Sequence, residues 1–325
     1  MTRHVITGGA GFVGTWLAAD LAARSEPVLV FDLAPPPTAQ ANAKFVRGDI
    51  RHVDDLRVIG LGPDDIVYHL AARQFHAGTP ADDQDAWFGD VNVNGTSRLL
   101  EAMNRGGARR LVFFSTDMTY GSPRQTPVTA DHPQRPLGPY GRSKLAAEDL
   151  LRDAATEFGL GATIFRPRLI AGSGRLGVLA KLFGLISRGL PVPMIGGGGN
   201  RYQMIAVEDC AAAAIRAADL GCPSGAFNLG SDDPPTVREL LSATIAQAGS
   251  RSILVPTPGF AVKRALAFLD LIGLTLLHPE QYEIADIDYV LDTSVTTETL
   301  GWSPTRRDED IIFEAYEAAR NARAI

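Results

Sequence analysis

The sequence predicts a doubly wound α/β fold of the Rossmann type, a parallel sheet covered on both faces, with a smaller C-terminal α/β region for substrate. Three observations predict it. A short apolar strand at the N-terminus runs into a glycine turn and then a helix. Apolar strand-like runs alternate with helical ones through the first half, as a buried parallel sheet requires. Past Arg166 the alternation gives way to shorter strands between glycine-rich turns, so residues 1–166 read as the dinucleotide-binding domain. Residues 167–325 read mainly as the substrate region, with some segments free to return to the first sheet.

The elements follow in order. Val5-Ile6 make the first strand, Thr7-Gly8-Gly9-Ala10-Gly11-Phe12-Val13-Gly14 the turn, and residues 15–23 the helix. Glycines 8, 11 and 14 let the backbone turn tightly, admit a pyrophosphate where a Cβ would block it, and bring the helix close to its strand. The helix N-terminus then offers unpaired N–H groups and partial positive charge to the phosphates. A second strand, Val28-Leu29-Val30-Phe31, ends at Asp32. A carboxylate there accepts from ribose hydroxyls and repels a 2′-phosphate, and Leu33 brings no compensating charge, so NAD is expected over NADP. Pro35-Pro36-Pro37 form a stiff turn. Further strands are expected at 44–48, 65–69, 110–114 and 162–165, and helices at 53–59, 86–105 and 138–158. Pro123, Pro127, Pro133, Pro136 and Pro139 make the stretch before the last helix irregular.

That helix carries Tyr140-Gly141-Arg142-Ser143-Lys144. Residues four apart share a helix face, so the Lys144 ammonium can favour the ionised form of the Tyr140 phenol. A free tyrosine titrates near pH ~10, too high for a base at neutral pH, and an adjacent positive charge lowers it.

Together these motifs resemble the extended short-chain dehydrogenase/reductase family, which holds nucleotide-sugar epimerases and dehydratases and the 3β-hydroxysteroid dehydrogenases. Besides the glycine turn and the Tyr140–Lys144 pair, the resemblance rests on Gly48-Asp49-Ile50, His69-Leu70-Ala71-Ala72, Asn92-Val93-Asn94-Gly95-Thr96, Ser115-Thr116 ahead of Tyr120-Gly121, Arg166-Pro167, Val207-Glu208-Asp209 and Leu300-Gly301-Trp302-Ser303-Pro304. It spans nearly the whole chain. It implies NAD as cofactor, held by Gly8, Gly11, Phe12, Val13, Gly14, Asp32, Asp49, Ile50, Leu70, Ala71, Ala72, Asn92, Ser115, Arg166 and Pro167 together with Tyr140 and Lys144. Thr116 would share the substrate's hydrogen bond with Tyr140, and Lys144 would also hold the nicotinamide ribose. Asn92 is a fourth member of the site, or else a cap for the stretch 92–105 or a ligand of a structural water.

Asp117 and Met118 separate the subfamilies. The resembling sugar 4,6-dehydratases carry threonine, aspartate and glutamate in a row; here Met118 stands in the glutamate's place, and a thioether takes no proton. Asp117 remains a possible acid or hydrogen-bond acceptor. Oxidation without elimination is left, giving C4 epimerisation of a nucleotide-linked sugar if the keto intermediate is reduced on its other face. A dehydrogenase or ketoreductase of a sugar or a steroid-like substrate is the alternative, and a non-catalytic NAD-binding scaffold the third. Epimerases of this kind resemble one another in placing arginines before the Val-x-Asp segment and in an Arg-x-Gly-Asp stretch; here Tyr202 stands at the first and Ala285-Asp286-Ile287-Asp288 at the second. Arg168, Arg175, Lys181 and Arg201 are the cations that would compensate. Arg73, Phe75 and His76 follow the fourth strand and are expected, with Met118, to face substrate.

Composition agrees. In 325 residues, 45% hydrophobic, a substantial core is available, and a net charge of −6 with a pI near 5.5 argues against a nucleic-acid partner. Cys210 and Cys222 make no disulfide framework or zinc motif, which fits a reducing cytoplasm, and Met1-Thr2-Arg3-His4 leads straight into the first strand without a signal peptide. Residues 261–277 are apolar, yet too short and too charged to span a bilayer, and are expected to pack over the substrate cleft. Gly196-Gly197-Gly198-Gly199-Asn200 is expected to be a hairpin turn before a strand at 201–205. A homodimer is expected through helices 86–105 and 138–158, with Leu99, Met103, Leu145, Glu148, Leu151 and Arg152 on their outer faces.

Overall fold

The computed structural model describes residues 2–75, 78–80, 82–174, 179–271, 278–322 and 325. Its first half runs β1 (His4–Thr7), α1 (Phe12–Ala23), β2 (Val28–Asp32), β3 (Ala43–Arg47), α2 (Val53–Ile59), β4 (Ile66–His69), α3 (Gln84–Asn92), α4 (Asn94–Gly106), β5 (Arg110–Phe114), α5 (Pro139–Phe158) and β6 (Gly161–Pro167). These strands pair in parallel in the order β3-β2-β1-β4-β5-β6. The sheet therefore reverses its direction of growth between β1 and β4, where open α/β sheets bind ligands at their carboxyl ends.

Alternation along the strands builds two cores. Ile6, Val30, Tyr68 and Val112 face Leu17 and Leu21 of α1, whereas their neighbours Val5, Leu29, Val67 and Leu111 face Leu56, Leu99, Met103 and Leu151 of the helices on the other side. The second half continues with β7 (Leu169–Ala171), α6 (Ala180–Ser187), β8 (Val192–Ile195), β9 (Met204–Ala206), α7 (Val207–Asp219), β10 (Gly225–Leu229), α8 (Val237–Gln247), β11 (Leu254–Thr257), α9 (Gly259–Leu271), α10 (Pro279–Tyr282), α11 (Ser294–Leu300) and α12 (Asp308–Asn321). Strand β10 crosses back to pair with β6, making seven strands, and the alanine face of α7 packs on the same core as α1. The remaining elements gather a third core from Phe183, Leu240, Ile312 and Tyr316.

Four expectations are corrected. The helix at 86–105 is two, joined at Val93 (φ −103, ψ −60), and the Thr96 hydroxyl donates to the Asn92 carbonyl at 2.7 Å across the joint, a side-chain bond that competes with the helical ladder. The glycine stretch 196–200 is no hairpin, because β8 pairs with β11 and β9 with β7, each in parallel; the strand expected at 201–205 is Met204–Ala206. Leu99, Met103, Glu148 and Leu151 do not lie on outer faces: each is at most 1% exposed, turned to the sheet or to β6. Helix α9 packs less than its sequence suggests, with Leu266 buried but Phe260 and Phe268 72% and 60% exposed, while residues 272–277 lie outside the described residues.

Candidate active site

The three glycines divide the work expected of them. Gly8 has φ +73, and a Cβ there would lie 2.5 Å from the Ala71 amide nitrogen; Gly14 lets α1 cross the turn, since its Cβ would lie 2.5 Å from the Gly9 Cα. Gly11 is different. A Cβ there would meet only the Gly8 carbonyl, at 3.1 Å, so its open side faces away from protein. No side chain caps α1 and no acid occupies its first turn. Asp32 accepts from the Ala10 amide at 2.9 Å and the Leu33 amide at 2.7 Å, which fixes its carboxylate at the rim of the turn. An open glycine cradle, an uncapped helix end and a fixed carboxylate fit a dinucleotide.

Around this cradle the other expected cofactor residues have definite partners. The Leu70 amide donates to the Thr7 carbonyl, and Ala71 abuts Gly8; Ala72 follows them, half-buried. Asp49 is bound by Arg51 at 2.6 Å, which holds its carboxyl below the usual range, and Ile50 packs against Gly95. Asn92 neither caps α4 nor stands free: it accepts from the Arg73 amide at 2.7 Å and donates to the Ser143 hydroxyl at 2.9 Å. Arg166 is turned to protein, giving two bonds to Glu148 and others to the Tyr120 hydroxyl and Ala130 carbonyl. Pro167, at the end of β6, pairs with Leu229.

The residues expected to react converge from β5 and α5. Thr116 accepts from the Met118 amide at 3.2 Å and donates to Asp117 at 3.1 Å. The first turn of α5 lies directly on this bend, so close that a Cβ on Gly141 would sit 2.7 Å from the Met118 carbonyl. Tyr140 and Lys144 are both buried on one face of α5. Burial pushes the Lys144 ammonium down to about 7, against the attraction of Glu148; its position 4.1 Å over the Phe113 ring also favours the charged form. His69, held between the Thr7 and Thr96 hydroxyls, is pushed by burial, then by Lys144, to about 3 and is neutral. Ser115 donates to Glu148 at 2.5 Å.

The expected substrate residues separate. Phe75 meets the Tyr140 ring edge-on, centroids 6.0 Å apart, and Met118 is half-buried in the bend under α5. Arg73 folds onto α3, bonding the Trp87 carbonyl and Asp90. Arg168 is buried, paired with Asp117 at 2.7 Å and stacked 4.4 Å over Tyr289. Arg201 is half exposed near Asp233, and Lys181 is exposed on α6. His76 and Arg175 lie outside the described residues. Pattern reading turned Glu148, four residues beyond Lys144 on the same face, toward a dimer contact instead of this site, and missed Glu280, which reaches α5 only through the fold.

Sheet order and site together define an enzyme of the extended short-chain dehydrogenase/reductase class. The chain belongs to the NAD dependent epimerase/dehydratase family, whose model matches residues 4–230. A UDP-glucose 4-epimerase of Streptomyces lividans is 32% identical over 97% of this chain and 95% of its own length. Among solved structures, the UDP-glucose 4-epimerase of Thermotoga maritima with UDP-glucose superposes with a TM-score of 0.80 at 25% identity, covering 98% of this chain and 99% of that one. MoeE5 in complex with UDP-glucose and NAD superposes at 0.77 and 26% identity, with the same coverage. The chain is an NAD-dependent enzyme, and no helix among its described residues is long and apolar enough to cross a membrane.

Proposed function

We propose that this chain inverts C4 of a nucleotide-linked hexose through a transient 4-keto sugar. The observation that carries the reading is the seating of the Tyr140 turn on the Thr116–Met118 bend, with Lys144 buried on the same helix face and a thioether where an eliminating base would stand. The Tyr140 phenolate takes the proton of the C4 hydroxyl, Thr116 shares that hydrogen bond, and Lys144 favours the ionised phenol. NAD held there would supply the reversible hydride acceptor that C4 oxidation and re-reduction require. Tyr140 then gives its proton back to the oxygen of the inverted sugar. Glycines 8, 11 and 14 and Asp32 hold the dinucleotide, as the cradle and fixed carboxylate support. Interconversion of UDP-glucose and UDP-galactose without accumulation of NADH tests this; no interconversion of any nucleotide hexose would refute it.

A second reading has its own support. Arg73, Arg168 and Arg201 are each turned to an acid, which favours a dehydrogenase or ketoreductase of an uncharged, more apolar substrate. Steady NADH release from such an alcohol distinguishes it. The homodimer is proposed on the family resemblance, with its contact redrawn to half-buried Leu145, Ala146 and Leu150 and exposed Arg152 of α5. Cytoplasmic residence is proposed on the two free, buried cysteines.

A further inference from the structure

Gly138 precedes the catalytic helix and, lacking a side chain, gives it no cap. Pro139 has no N–H to satisfy, but the amides of Tyr140 and Gly141 are donors with no acceptor inside the helix. Both find the same carboxylate from the far end of the chain. Glu280 of α10 accepts from Tyr140 at 3.1 Å through Oε1 and from Gly141 at 3.2 Å through Oε2, and it is 3% exposed. The fit is close: a Cβ on Gly138 would lie 2.4 Å from Oε1, and one on Gly141 would lie 3.3 Å from Oε2. Two residues earlier, His278 stacks on Phe75 with centroids 3.8 Å apart, and Phe75 in turn meets the Tyr140 ring. One segment of the substrate region thus holds Tyr140 by its backbone and, through Phe75, by its ring.

We propose that Glu280 is a positioning residue for the catalytic base, a cap supplied from the substrate region that fixes the first turn of α5 and so the approach of the Tyr140 phenol to the reacting hydroxyl. This rests on Tyr140 being the base. The physics suits the role: a buried carboxylate against two helix-end amides is a strong, directional contact, and a displacement of about 1 Å at a reacting group costs up to roughly a hundredfold in rate. Burial pushes the Glu280 carboxyl up to about 6, the amides of Gly141 and Tyr140 and then Arg142 oppose this, and Asp85 adds to it.

The test uses the full chain with NAD and the nucleotide hexose proposed above. Glu280→Gln should lower kcat roughly tenfold to a hundredfold, leave KM and NAD affinity unchanged, and speed hydrogen exchange at the Tyr140 and Gly141 amides. Gly138→Ala should reproduce the loss, because extended φ −142, ψ 179 suits alanine and the clash is with Glu280. In a Glu280→Ala background Gly138→Ala should add nothing. Unchanged exchange at the two amides, unchanged kcat despite faster exchange, or additive losses in the double variant would each overturn the role. Full turnover by Tyr140→Phe would overturn the base assignment and the catalytic part of this proposal with it, while the exchange result reads the contact independently of any substrate.

Discussion

Tyr140→Phe removes the proposed proton acceptor and nothing that the ring packs against, since Phe75 and Phe88 touch the ring and not the hydroxyl alone. Turnover is expected to fall by roughly 10²–10⁴-fold with NAD affinity kept, as read by steady-state assay and cofactor titration. Asp32→Ala has the opposite signature. It removes a carboxylate fixed by two amides at the rim of the glycine turn, so NAD binding should weaken roughly tenfold or more and discrimination against NADP should relax. Unchanged cofactor titrations would refute that role. At position 118 the structure sets a half-buried methionine in the bend under α5, so no 4,6-dehydrated product is expected from any nucleotide hexose. Mass spectrometry detecting loss of water at a rate comparable with turnover would reveal another base.

At the scale of elements, Glu148 joins β5, α5 and β6. It accepts from Ser115, twice from Arg166, from Gln134 and from Arg152, and is 0% exposed. Burial by itself raises its carboxyl; the Arg166 guanidinium, helped by Ser115 and Gln134, more than reverses this and holds it below the ordinary 4.5. Because the folded value is depressed, the stability it lends is present above about 4.5 and is lost as pH falls through the lower folded value. Glu148→Ala leaves Arg166 buried and unpaired and should cost about 3–5 kcal/mol, measured by urea unfolding at neutral pH. A difference that stayed constant down to strongly acidic pH would contradict the linkage. Helices α3 and α4 show a subtler case: one amphipathic run became two helices at a joint where Thr96 bonds back to the Asn92 carbonyl, and there the Asn92 side chain also bonds Arg73 and Ser143, partners a local pattern cannot anticipate.

For the whole molecule, the two halves are not beads on a string. Strand β10 and helix α7, both from the second half, complete the first half's sheet and core, and α10 caps α5. Truncation after 166 would therefore strip the sheet of an edge strand and a covering helix, and such a fragment is not expected to bind NAD. Self-association is checked by light scattering at micromolar concentration: a mass near 34.7 kDa refutes the proposed homodimer, and about twice that supports it. Losing Leu99, Met103 and Leu151 to the subunit's own core makes any such contact smaller and more polar than the sequence suggested.

By itself the sequence determined the glycine turn and its helix, the order of the first six strands, Asp32 at the second strand's end and the Tyr140–Lys144 face. These are written in local periodicity and in backbone demands that only glycine meets, such as the positive φ of Gly8. The same periodicity cannot say which of several burying surfaces a helix face meets, so Glu148 and Leu151 were placed outward when the sheet claims them. Nor does it carry pairings between distant segments. The parallel partners of β8 and β9, the Arg168–Asp117 pair and the carboxylate of Glu280 on the amides of Tyr140 and Gly141 join residues far apart in the chain, and their geometry exists only once the core has brought those segments together.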